Sequence, residues 1–191
     1  MANPLFSDAR SSLEEAFFRK RDAELIAEMR RREQRQSRKK ALAEVSGIND
    51  DTVLDELVEH DIHAETLAAF TIVPLVEMAW SDGAIQPAER KVLLQAIEEA
   101  GIPKEGVAFK LMKQWLNRRP EPKMLKLWQN YARALLAELP AEAGQRIGRT
   151  VINQARALAE AAGGFLGFAR MSSEEAKILR TLEKAFLPRS K

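Results

Sequence analysis

Two groups of side chains in this sequence have the types and spacing to meet a charged partner: a pair of histidines and a run of cations. His60 and His63 stand three residues apart beside Glu59, Asp61 and Glu65, the residue types of a metal site. They straddle an expected helix boundary, however, and the chain has no third histidine and no cysteine to complete a ligand set. They read as surface turn residues. The stretch from Arg30 to Lys40 holds seven cations, Arg30, Arg31, Arg32, Arg35, Arg38, Lys39 and Lys40, and no apolar residue. A helix of that composition has nothing to bury, so it projects into solvent or lies along a partner. Its plainest reading is a solvated helix face; its functional reading is a docking surface for an anionic partner. Seven cations would neutralise several phosphates. The window lacks aromatic side chains for base stacking and has no recognition-helix signature beside it, which puts nucleic acid behind another protein as the partner.

Nothing marks a reaction. There is no cysteine nucleophile, no G-x-S-x-G, no P-loop and no dinucleotide-binding fingerprint. Gly163-Gly164-Phe165-Leu166-Gly167 lacks the lysine and hydroxyl residue of a phosphate loop and reads as a connection between helices. Paired carboxylates such as Glu98-Glu99 belong to an ordinary solvated helix face. The chain is therefore read as non-enzymatic.

The elements that must position these groups are all helices. Of the 191 residues 46% are apolar and 30% charged, few are aromatic, and helix formers dominate. Between Arg10 and Lys40 eleven Arg or Lys face six Asp or Glu, which leaves the remainder mildly acidic. That asymmetry predicts a basic helical arm over residues 1–47 and a helical body over 48–191. In the arm, Ser11 or Ser12 can cap the first helix, and Leu13, Phe17, Leu25 and Met29 recur at multiples of four. Such a stripe could also pair with itself in a homo-oligomer.

In the body, Gly47 is a helix stop and Asn49 or Asp50 a helix cap. One long buried helix is expected over Ala64 to Trp80, kinked at Pro74. Further helices are expected over Pro87 to about Ala100, Lys104 to about Arg118, a stripe from Met124 to Leu139, Ala141 to Ala162, and from Ser172 onwards. The expectation is an all-α bundle of seven to eight helices with no sheet. Met1 to Ser7 has no leader pattern, and the most apolar segment is interrupted by Pro74 and Glu77, so no membrane span and a cytoplasmic location are expected.

The body is organised around Ala79-Trp80-Ser81-Asp82-Gly83-Ala84-Ile85, followed by Gln86, Pro87 and Glu89. Asp82-Gly83 is a turn dipeptide, and Gln86, Pro87 and Glu89 make a degenerate capping box with proline at the first helical position. A partial copy, Phe168 to Glu175, returns before the last helix, with Ser172 and Glu175 as its cap pair.

This turn resembles the A-x-A-D-G-x-I-x-x-x-E turn of the TerB-like tellurite-resistance family, which includes the N-terminal domain of DjlA-type co-chaperones. The resemblance covers about Ala64 to Leu187. It implies a pseudo-duplicated helical domain with an acidic, metal-associated surface, serving membrane-associated stress-response complexes rather than catalysis. Carried over by position, Asp82 and Glu89 would be the acidic pair of the first half. Glu77 lies on the helix leading in, and a divalent cation would be the cofactor. The second half departs from the pattern, with Phe168 and Ala169 where aspartate and glycine are expected.

Overall fold

Proline and glycine set most helix boundaries in this chain. The computed structural model describes the backbone of residues 4–162 and 171–186, with side chains over 17–161 and 171–186. The glycine-rich connection at 163–167 and the Phe168-Ala169 half of the second turn lie outside the described residues, as does the side chain of Leu13. Among the described residues the protein is all-helical. Its elements are α1 (Pro4–Ser46), α2 (Asp51–Glu59), α3 (Leu67–Thr71), α4 (Val73–Ala79), α5 (Pro87–Glu99), α6 (Val107–Asn117), α7 (Lys123–Glu138), α8 (Ala141–Ala162) and α9 (Ser173–Phe186). No helix among these residues is long and apolar enough to cross a membrane.

Helix α1 begins earlier than its serines suggest. It starts at Pro4, where a missing N–H costs nothing, so Ser11 and Ser12 are interior residues and not caps. It runs 43 residues, about 64 Å at the α-helical rise. Every described side chain from Phe17 to Arg38 is exposed. Among the described side chains its C-terminal end joins the body through the buried Lys39, Leu42 and Ser46. Gly47 at φ 70° closes it, and the Asp50 carboxylate caps α2 by accepting from Thr52 and Val53 N–H at 3.0 and 3.1 Å.

The expected long helix over Ala64 to Trp80 is instead two. A proline at position 74 cannot donate to the carbonyl of Phe70, and its ring crowds that carbonyl. The chain therefore ends α3 at Thr71 and restarts as α4 with Pro74 in its first turn. The Thr71 carbonyl exposed by the break accepts from Trp128 Nε1 on α7 at 3.2 Å. This division gives nine helices among the described residues rather than seven to eight. Likewise the helix expected from Lys104 starts only at Val107, after a Pro103 turn closed by Gly106 N–H, and Val107 itself is 45% exposed.

Helix α4 is the axis of the body. All seven of its residues are buried, and α5, α7, α8 and α9 pack around it. Helix α8 reaches its neighbours closely because it presents small residues to them. A Cβ on Gly148 would come within 2.9 Å of the Phe186 ring, and one on Gly144 within 2.6 Å of Leu136. Ile147, expected on the buried face, is 37% exposed.

The contact predicts opposite signs in two backgrounds. Gly148→Ala should gain helix propensity worth up to about 1 kcal/mol but overpack against Phe186 by about 1–3 kcal/mol. A net loss of about 1 kcal/mol is expected in thermal or urea unfolding. With Phe186→Leu already present, the same substitution should cost less or stabilise.

Candidate functional site

The Asp82–Gly83 turn is built as the sequence indicates and is then fixed by contacts the sequence does not show. Gly83 adopts φ 88°, which a residue with a side chain adopts only at a cost. On one side of the turn Trp80 Nε1 donates to the carbonyl of Trp115 at 2.8 Å. On the other, Arg90 Nη2 donates to the Leu116 carbonyl at 2.8 Å and to Asn117 Oδ1 at 3.1 Å. Carbonyls at a helix C-terminus have no partner within the helix and favour cations, so the end of α6 is held by side chains that flank the turn.

The acidic residues of the turn have different surroundings. Asp82 is exposed. Glu89 is buried, 3% exposed, and its Oε2 accepts from Gln86 N–H at 2.6 Å. Glu175 repeats this arrangement at the start of α9: it is 4% exposed, its Oε2 accepts from Ser172 N–H at 2.6 Å, and its own N–H donates to Ser172 Oγ at 3.2 Å. The two capping glutamates lie close enough for their charges to interact. Burial holds the Glu89 carboxyl above its usual range. The Gln86 N–H opposes that shift, and the charges of Asp82 and Glu175 add to it.

Glu77 faces elsewhere. It is buried and paired with Arg119, whose Nη2 and Nε donate to Glu77 Oε2 at 2.8 and 3.2 Å. Its Oε1 has no hydrogen-bond partner, and neither does Oε1 of Glu175. Among the described residues no three His, Asp or Glu side chains gather into a group that could hold a metal ion. Glu77, Asp82 and Glu89 therefore do not form a closed coordination set. His60 and His63 are turn residues: a ring nitrogen of each lies 2.9 Å from a nearby carbonyl, Glu56 O and Asp61 O respectively.

The basic window divides into two halves. Lys39 is buried and its Nζ bridges Asp51 and Asp55 of α2, both at 2.8 Å. Arg35 pairs with Asp55 at 3.2 Å and Arg38 with Asp61 at 3.6 Å. The hydrogen bonds to Asp51 and then Asp55 raise the Lys39 pKa, and the hydrogen bond from Lys39 lowers that of Asp55. Arg32 pairs with Glu28 along α1. Arg30, Arg31 and Lys40 are exposed, with no ion-pair partner among the described residues. Where α1 leaves α2 a notch of about 210 Å³ is lined by Arg31, Gln34, Arg35, Arg38, Val58 and Glu59. Glu59 within it, and Asp55 and Asp61 beside it, offset its cations.

Comparison of the chain with protein-family models, with curated proteins and with solved structures finds no match.

Glu89 carries a pH signature. An acid whose folded pKa is raised keeps its proton in the folded state while the unfolded chain releases it. Stability from this group is therefore lost as pH rises above the ordinary glutamate value of about 4.3. Glu89→Gln keeps an acceptor for Gln86 N–H and removes the charge. Its melting temperature relative to the parent should rise between pH 4 and pH 7, and a flat or falling difference would contradict this account of the site.

Proposed function

We propose that this protein is a non-enzymatic helical interaction module: a compact helical body that holds out α1 as a docking arm for another protein. The observation that carries the reading is the exposed apolar set on the free part of α1. Phe17, Phe18, Leu25, Ile26 and Met29 are each about half exposed or more, and no described residue of the body covers them. Single exposed apolar side chains are ordinary, but five within thirteen residues of one projecting helix mark an interaction surface. The TerB-like resemblance of the Asp82 turn supports a stress-response setting of the tellurite-resistance kind.

The partition of the basic window favours a protein over nucleic acid or another anionic surface. Arg35 and Lys39 are engaged with aspartates of α2 and Arg38 with Asp61 just after it, which leaves Arg30, Arg31 and Lys40 as the cations of the window with no ion-pair partner among the described residues. A nucleic-acid contact through these would have a shallow salt dependence, with a slope of about −3 rather than the −6 that all seven cations would give.

The test is retention of proteins from an extract of the source cells by the immobilised full chain and by the Phe18→Glu/Leu25→Glu variant. A defined protein identified by mass spectrometry with the parent, and lost with a variant of unchanged melting temperature, is the expected result. Equal retention by both would overturn the arm as the docking element.

At the Asp82–Gly83 turn the reading includes at most a weak divalent-cation contact, made by Asp82 and Glu89 with backbone or solvent oxygens. With so few carboxylates a dissociation constant of about 10⁻³ M or weaker is expected. Calorimetric titration with calcium, zinc and manganese should give small heats that vanish in Asp82→Asn; no heat at all would leave the turn a purely structural device.

A further inference from the structure

We infer that the outer groove between α7 and α9 is a binding surface for the phosphate backbone of double-stranded nucleic acid, held by Lys126, Arg133, Lys177 and Lys184. It is a second surface, distinct from the α1 arm. The mildly acidic body is divided in charge along the chain. Residues 41–103 hold two Arg or Lys against thirteen Asp or Glu, whereas residues 104–191 hold seventeen against eight. A charge asymmetry of this size between halves is the footprint of a polyanion partner.

Packing places these cations together. The chain reverses at Pro140, with Leu136 against Gly144, and reverses again into α9, where Gly148 meets Phe186 and Arg156 pairs with Glu183. Helix α9 therefore runs parallel to α7, and Gln129 Nε2 bonds the Thr181 carbonyl across the contact at 3.4 Å. At about 100° per residue, Lys126 and Arg133 lie about 50° from Gln129 in one rotational sense, and Lys177 and Lys184 about 50° from Thr181 in the other. In parallel helices opposite offsets fall on one side of the contact, and the buried Ala132, Ile178 and Ala185 take the core side. The four exposed cations thus rim the outer side in two rows. Each row is about 10 Å long and the rows are about 10 Å apart. Lys126, Arg133 and Lys184 make no ion pair among the described residues, and Lys177 has only the exposed Glu174 at 3.7 Å. The other nearby acids are occupied: Glu183 with Arg156, and Glu56 of α2 with Asn130.

The surroundings select the polyanion. Trp128 and Tyr131 are buried, so no exposed ring is offered for the base stacking that single strands use. No large apolar side chain of α7 or α9 is exposed to enter a bilayer, and stable membrane attachment takes a second, apolar signal besides charge. Duplex presents one charge per about 1.7 Å of axis, so about six face the 10 Å rows where a single strand has about three. Without contacts to base edges, binding is independent of sequence.

Anisotropy of a labelled DNA duplex of about 20 base pairs, titrated with the full chain in about 50 mM salt, should show micromolar binding. It should weaken about a hundredfold by about 200 mM, a log–log slope of about −3.6 for four phosphate contacts. Lys126→Gln/Arg133→Gln and Lys177→Gln/Lys184→Gln should each remove about half of that slope at unchanged melting temperature. Arg30→Gln/Arg31→Gln/Lys40→Gln on the arm should bind as the parent does. No binding at the lower salt, binding lost with the arm variant and kept in both groove variants, or tighter binding of the single strand would each overturn the inference. So would association with phosphatidylserine vesicles without binding of duplex. Retention of a protein through α1 is read separately with Phe18→Glu/Leu25→Glu, so failure of the groove and failure of the docking arm are distinguishable.

Discussion

The body depends on burying α4 on every side. A helix of seven residues that is apolar along almost its whole surface has no solvent face, so other helices must enclose it. This explains why α5, α7, α8 and α9 converge on one short element, and why α8 offers glycines and alanines to its neighbours. The single charge on that helix, Glu77, is the strictest part of the constraint. A buried carboxylate without a counter-charge is strongly unfavourable, and removing one member of a buried pair typically costs several kcal/mol. Arg119 supplies the charge from the connection between α6 and α7 while its own side chain stays half exposed. That connection is therefore fixed electrostatically as well as by packing.

The same reasoning separates capping from coordination at the acidic turn. Glu89 and Glu175 occupy equivalent positions in two helix starts, are equally buried, and place one oxygen at the same distance from a backbone N–H. Their nearness follows from packing the first turns of α5 and α9 toward one region. A carboxylate already accepting a short backbone bond has less to offer a cation than a free one, and burial favours its protonated form. Asp82 is exposed and carries neither restriction. The place of Glu89 in the motif is thus accounted for by helix capping, and its raised carboxyl follows from the same geometry.

What was legible in the sequence was local. The Gly83 and Gly47 turns, the Asp50 cap, the Ser172–Glu175 capping box and the apolar stripes of α7 and α9 each depend on residues within a few positions of one another, and all appear in the structure. Partners at long range were not legible. No pattern links Glu77 to Arg119, 42 positions away, or Trp80 to the carbonyl of Trp115. The run Arg30 to Lys40 read as one basic surface because the sequence does not show that α2 and the turn after it bring Asp51, Asp55 and Asp61 to one side of it. The Pro74 break was half legible: proline signals a disruption, but not the division into two helices or the Trp128 donor, 57 positions away, that satisfies the freed Thr71 carbonyl.

The ion pairs between α1 and α2 decide what kind of arm this is. Lys39 with Asp51 and Asp55, together with the buried Leu42, fixes the direction in which α1 leaves the body. On the N-terminal side of Arg35 every described side chain of α1 is exposed. Exposed pairs such as Arg32–Glu28 contribute only a few tenths of a kcal/mol each, and isolated helices gain most of their stability from packing of an apolar face. A projecting helix with five large apolar side chains uncovered is then marginal by itself and becomes firm when that face is covered. The anchored end supplies the costly first turns and the orientation. Covering that apolar face would supply the packing that the rest of the arm lacks.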